Sequence, residues 1–203
     1  MAQIAHPGVD VVILAGGQGT RMGGKDKALI TINGKRFLDR LLEDLAGIKE
    51  VHQIVVVSSR PLPLYPTITL VSETPPFSGP LAAFHAGVVA LSDHAAATTV
   101  VLAVDAPQSA RLIPKLLTAL SAAPHAQVAA ISSPSGHLEP LCTAWRTDKL
   151  WEIFDQLETA HAPLKALWPA RNEIIIIQGT GQEKDYDTPS DLAEFPDEDH
   201  QME

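Results

Sequence analysis

Short runs of β-branched and aliphatic residues alternate along the chain with amphipathic stretches. Val9 to Leu14 has the continuous apolar character of a buried strand. Ala28 to Ile32 is expected to be extended up to a turn at Asn33-Gly34. A helix is expected over Phe37 to Ala46, with Leu38, Leu41, Leu42 and Leu45 on one face. Gln53 to Val57 and Ile68 to Val71 predict two further strands. Between them, Arg60 to Pro66 holds three prolines and must be loop. A helix over Pro80 to Leu91 starts with proline, which suits a first turn. Thr98 to Val104 is the most apolar strand and ends at Asp105. Then follow a helix over Ala110 to Ala122, a strand over Gln127 to Ser132, a turn at Pro134-Ser135-Gly136 and a returning strand over His137 to Trp145. Helical segments are expected over Thr147 to Thr159 and Pro163 to Trp168, a last strand over Glu173 to Gln178, and a short helix opening at Thr188-Pro189-Ser190-Asp191.

This alternation implies an α/β fold, a three-layer αβα, Rossmann-like arrangement around a mostly parallel sheet. In such sheets the ligand lies outside the carboxyl ends of the strands. Gly16, Ser58, Glu73 and Asp105 all stand at or just past such ends, so the pattern alone gathers them on one edge. No repeat or linker divides the chain. Residues 1–195 are expected to form one domain, and 196–203 an acidic, disordered tail.

Composition narrows the function classes. The 203 residues suit a single domain, and 45% hydrophobic content is ordinary for a globular chain. No apolar run reaches the ~20 residues needed to span a bilayer. Met1 to Val9 lacks the basic and apolar regions of a secretory signal. The single Cys142 excludes an internal disulfide and suits a reducing compartment, so a cytoplasmic location is expected. A net charge of −9 argues against nucleic-acid binding. From Glu183 to Glu203, nine acids face one lysine. The remaining fifteen acids and fourteen bases nearly cancel, so the body of the protein is close to neutral.

Against that neutral body, the segment after the first strand is distinctive. Leu14-Ala15-Gly16-Gly17 leads through Gly19 to Arg21-Met22-Gly23-Gly24-Lys25-Asp26-Lys27. Glycines let main-chain N–H groups approach an anion, and the cations draw one in. Two commoner loops fail. The dinucleotide fingerprint has Met22 where its third glycine belongs. The phosphate loop of ATPases has Asp26 where a magnesium-binding hydroxyl belongs. On residue chemistry alone, Lys27 and Arg21 are candidates to clamp phosphates, Arg21 through bidentate guanidinium contacts. Asp105 could hold Mg²⁺ or cap the helix that follows it.

The string Leu-Ala-Gly-Gly, Arg-Met-Gly-Gly, Lys-Asp-Lys resembles the signature of nucleotidyltransferases, in particular the molybdenum cofactor guanylyltransferases. The likeness runs from Val11 to Leu192 and is densest over Leu14 to Lys27. It implies the nucleotide-diphospho-sugar transferase type of fold and transfer of GMP from GTP to molybdopterin, with Mg²⁺. Cofactor-delivery proteins or molybdoenzymes are its candidate protein partners. Asp105-Ala106-Pro107 matches the family's Asp-x-Pro, which selects the metal role for Asp105. Asp185-Tyr186-Asp187-Thr188-Pro189 resembles its Asn-x-Asn-Thr-Pro. That makes Asp187 a second metal candidate, with Asp187 or Thr188 capping the last helix as the other reading. The resemblance implies main-chain contacts to guanine from Leu14, Ala15 and Gly16, with Gly17 also among the nucleotide-binding residues. Ser58 and Glu73 stand where the family has asparagine and aspartate. Gly136-His137-Leu138-Glu139-Pro140-Leu141 resembles the strand facing the acceptor. Arg146, Lys165 and Arg171 are expected to be surface charges, with contact to the acceptor phosphate as the other reading.

The catalytic set expected on these grounds is Arg21, Lys27 and Asp105. The departures at Ser58 and Glu73 leave open the same chemistry with CTP or a sugar-phosphate acceptor. A nucleotide-binding subunit without turnover is the reading from a different class.

Overall fold

The structure is a computed structural model and describes residues 6–17, 26–91 and 95–196. In chain order the strands and helices are β1 (His6–Leu14), β2 (Thr31–Ile32), β3 (Lys35–Arg36), α1 (Phe37–Ala46), β4 (Val51–Val57), β5 (Thr69–Val71), α2 (Pro80–Val89), β6 (Ala96–Ala103), α3 (Ile113–Ala122), β7 (Val128–Ser132), β8 (Leu138–Arg146), α4 (Thr147–Phe154), β9 (Ile174–Gln178) and α5 (Pro189–Ala193). Seven strands form one sheet in the order β5-β4-β1-β6-β8-β7-β9, and β2 pairs with β3 in a hairpin turned at Asn33-Gly34. Among the described residues, β8 alone runs antiparallel to its neighbours in the large sheet. The carboxyl ends of the other strands therefore share one edge, where β8 begins.

Helices cover both faces, which explains why the central strands are apolar throughout rather than alternating. Val9, Val11 and Ile13 of β1 pack toward α1 and α3, among Leu38, Leu41, Leu45, Ile113 and Leu116. Val12 and Leu14 point the other way, toward α2 and α4, among Leu81, Phe84, Val88, Leu150 and Phe154. Burial of each large aliphatic side chain contributes roughly 2 kcal/mol. The α2 layer sits close to the sheet. A Cβ on Gly87 would lie 2.3 Å from Val12 Cγ1 and 3.0 Å from Val57 Cγ2. Gly87→Ala should overpack this contact and lower stability by about 1–3 kcal/mol, read from the urea midpoint.

Three elements differ from the sequence expectation. Ala28 to Ile32 opens with a 3-10 turn at Lys27–Leu29, because the Asp26 carboxylate accepts the Ala28 N–H at 3.0 Å and caps it. The helix expected from Ala110 starts at Ile113, preceded by a 3-10 turn at Ser109–Leu112. An earlier start would need a bond from the nitrogen of Pro114 to the Ala110 carbonyl, and proline has no N–H. The segment after α4 tightens into i→i+3 bonds at Gln156 and Leu157 and stops well short of Thr159. The expected tail lies outside the described residues apart from Pro196. No described helix is long and apolar enough to cross a membrane.

Candidate functional site

At the carboxyl edge, β1, β5 and β6 end around a cleft of about 330 Å³. Leu14, Ala15, Gly16 and Gly17 line it from β1, Glu73, Phe77 and Gly79 from the connection between β5 and α2, and Asp105 and Lys27 from the far side. The Ala15 N–H still bonds the Val57 carbonyl at 2.9 Å, so the chain leaves the sheet only after it. A Cβ on Gly17 would meet nothing within 4 Å among the described residues; glycine there keeps the main chain bare beside the cleft. Arg21, together with Gln18 to Lys25, lies outside the described residues.

One end of the cleft is ionic. Lys27 Nζ donates to Asp105 Oδ2 at 2.6 Å and also to Asp187 Oδ1. Burial works against the charge on Lys27, but the two carboxylates outweigh it and raise the pKa. Asp105 is delivered by the turn directly after β6. Its carboxylate goes to Lys27, while the next 3-10 turn begins at Gln108 without a side-chain cap. Asp187 is delivered from much further along the chain. The Tyr186 N–H bonds the Asp105 carbonyl at 2.9 Å, stitching the two segments together. Thr188 caps α5 in a capping box with Asp191, whose Oδ2 also accepts the Asp187 N–H at 3.0 Å. Thr188 thus takes the cap and leaves the Asp187 carboxylate for Lys27. Asp185 stands nearby; burial first, then the charges of Asp187 and Asp105, push its pKa up.

The other end carries no cation among its described lining residues. Glu73 is only 6% exposed. Its Oε1 accepts the Phe77 N–H at 2.8 Å, whereas its Oε2 is buried with no hydrogen-bond partner among the described residues. Ser58 is also buried but does not line the cleft. Its Oγ accepts the Arg60 N–H at 3.1 Å and closes a local turn.

On β8, Leu141 lines the cleft and Glu139 is half-buried, with its pKa raised mainly by that burial. His137 pairs with Ser135 at 3.0 Å in the exposed hairpin. Arg146 is at the opposite end of β8, where it donates to the Leu120, Ala123 and Ala126 carbonyls and holds the end of α3. Lys165 sits in a 3-10 turn at Leu164–Leu167, and Arg171 just ahead of β9, also away from the cleft. Cys142 is buried in β8, and burial pushes its thiol far above the usual range, so it is no nucleophile.

The donor set fits a hard divalent cation. Asp105 and Asp187 already converge on one positive atom, and Mg²⁺ characteristically takes one or two carboxylates plus phosphate oxygens. No cluster of three or more ligating side chains exists among the described residues, so such an ion would draw its other ligands from substrate and water. Sequence reasoning passed over Phe77; its signal was a large aromatic inside a segment otherwise made of turn-forming residues.

The mostly parallel sheet, with helices on both faces and a cleft at its carboxyl edge, defines an α/β, Rossmann-like protein. Residues 11–174 match the model of the MobA-like NTP transferase domain, and the chain belongs to that family. The molybdenum cofactor guanylyltransferase of Aliivibrio salmonicida is 39% identical over 80 residues, covering 38% of this chain and 40% of the relative. That of a Shewanella species (strain MR-4) is 34% identical over 119 residues, 56% of this chain and 57% of the relative. The match thus spans less than two thirds of either relative. Among solved structures, molybdopterin-guanine dinucleotide biosynthesis protein A of Archaeoglobus fulgidus superposes with a TM-score of 0.61 at 19% identity, covering 91% of this chain and 95% of that one. The 2-C-methyl-D-erythritol 4-phosphate cytidylyltransferase of Francisella tularensis gives 0.70 at 14% identity, covering 92% and 97%. At these identities the likeness is one of fold.

Proposed function

We propose that the protein transfers GMP from GTP to the terminal phosphate of molybdopterin, releasing pyrophosphate. The observation that carries this reading is the Lys27 ammonium shared by Asp105 and Asp187 at one end of the cleft. That is where a triphosphate and its metal would be handled. The names of the curated relatives support the same acceptor and nucleotide.

In the reaction an oxygen of the acceptor phosphate forms a bond to the α-phosphorus of GTP, and the bond from that phosphorus to the bridging oxygen breaks. The electron pair leaves with pyrophosphate. An ionised phosphate is already a nucleophile, so no side-chain base is required, and positioning and charge stabilisation carry the rate. Asp105 and Asp187 would hold Mg²⁺, which when bound supplies charge neutralisation at the phosphates. Lys27 would then turn from its carboxylates to the leaving phosphates, beside the main-chain N–H groups of the glycine loop. At the other end, Glu73 Oε2 offers a buried acceptor. Guanine presents two adjacent donors, N1–H and N2–H₂, to a carboxylate. Cytosine presents a single amino group on the corresponding edge, which supports GTP over CTP.

The test is pyrophosphate release with GTP, CTP or ATP, with and without molybdopterin and Mg²⁺. Release is expected with GTP only when both are present. Equal release with CTP would overturn the guanine assignment. Nucleotide binding without release under any condition would favour a binding subunit.

A further inference from the structure

Phe77 is a large apolar residue left 47% exposed at the mouth of the cleft. Its backbone adopts φ of +63°, a left-handed conformation uncommon for a bulky side chain. It is held there by its own N–H, which donates to Glu73 Oε1 at 2.8 Å. The second oxygen of the same carboxylate is buried with no hydrogen-bond partner among the described residues, and Glu73 itself lines the cleft. One acidic side chain therefore fixes an aromatic ring at the rim and presents an edge acceptor beside it. Both stand on the β5 side of the cleft, which has no cation among its described lining residues, and β5 is three strands along the sheet from β6 and the Asp105 that follows it. A planar heterocycle with N–H donors on one edge satisfies both features, its edge on Glu73 and its face on the ring.

We propose that Phe77 is the stacking wall for the nucleobase, with Glu73 as the residue that positions it. This rests on the nucleotide reading above. Stacking of a base on an aromatic side chain is sequence-tolerant and substantial, so loss of the ring should weaken GTP binding about tenfold. On this reading the ring meets the base and not the reacting phosphates, so kcat should change by less than about twofold, and the effect should fall on KM.

Phe77→Gly tests this without threatening the fold, because glycine adopts the left-handed backbone freely. Its thermal midpoint should match or exceed that of the natural protein while the Kd for GTP, measured by calorimetry, rises about tenfold. Phe77→Trp should retain affinity, and its emission, taken as the difference from the unsubstituted protein, should be quenched by GTP through stacking. An unchanged Kd in Phe77→Gly overturns the proposal. So does a Phe77→Trp emission indifferent to saturating GTP while calorimetry records binding. If the unsubstituted protein binds no nucleoside triphosphate, the functional reading falls and takes this proposal with it. If it binds GTP and Phe77 proves irrelevant, only the stacking wall falls.

Discussion

Asp105→Ala is expected to lower pyrophosphate release about a thousandfold, equivalent to ~4 kcal/mol of transition-state stabilisation, with the fold intact. The size follows from position. Asp105 is the carboxylate delivered at the end of β6 on the cleft, and the reaction concentrates negative charge on phosphates that must be neutralised beside it. The fold should survive because the side chain is partly exposed and makes no cap. The main-chain bond from Tyr186 to the Asp105 carbonyl does not depend on the side chain, and Lys27 keeps Asp187. Asp105→Asn preserves the shape and removes the charge, so it should fall nearly as far. A thermal midpoint within a few degrees of the natural protein, measured alongside the rate, separates chemistry from stability. Undiminished release by Asp105→Ala would take that residue out of the mechanism.

The contrast between Asp105 and its partners shows what a sequence carries. A carboxylate after the most apolar strand of an α/β pattern announces its edge, because strand direction and ligand edge are coupled. Its meeting with Lys27 across 78 positions, and the meeting of Lys27 with Asp187 across 160, depend on the path of the whole chain and leave no local mark. Helix α1 was legible to both ends, since its leucines share one face and a turn and Gly47 bracket it. Strands buried on both faces were legible for the same reason, as unbroken apolar runs. Local chemistry decided the misses. Asp26 converts an apolar run into a capped turn, and Pro114 delays a helix. Ser58, expected at the nucleotide, is buried with its Oγ accepting the Arg60 N–H. Phe77 sits in a loop with no periodicity, and the role proposed for it rests on a bond from its own backbone to Glu73.

Lys27→Met should cut kcat/KM about a hundredfold and, in the same protein, strengthen Mg²⁺ binding without nucleotide about tenfold. Methionine keeps the length and apolar stem of lysine but not its charge. In the natural protein the ammonium competes with any cation for Asp105 and Asp187. Its pKa is raised above the unfolded value, so it is charged at neutral pH. Its contribution to stability is complete there and is lost only as pH rises through the folded value. Once the charge is removed, Asp105 and Asp187 face each other, with Asp185 close by, and repel. The variant should therefore melt at a lower temperature than the natural protein in EDTA. It should recover more on addition of magnesium chloride, because a ligand bound only by the folded state stabilises it more, at a given concentration, the smaller its Kd. The catalytic loss and the metal gain have opposite signs from one substitution, a combination that general damage to the fold does not produce. Equal magnesium-induced shifts in the two proteins would mean that Lys27 does not stand in the cation's place.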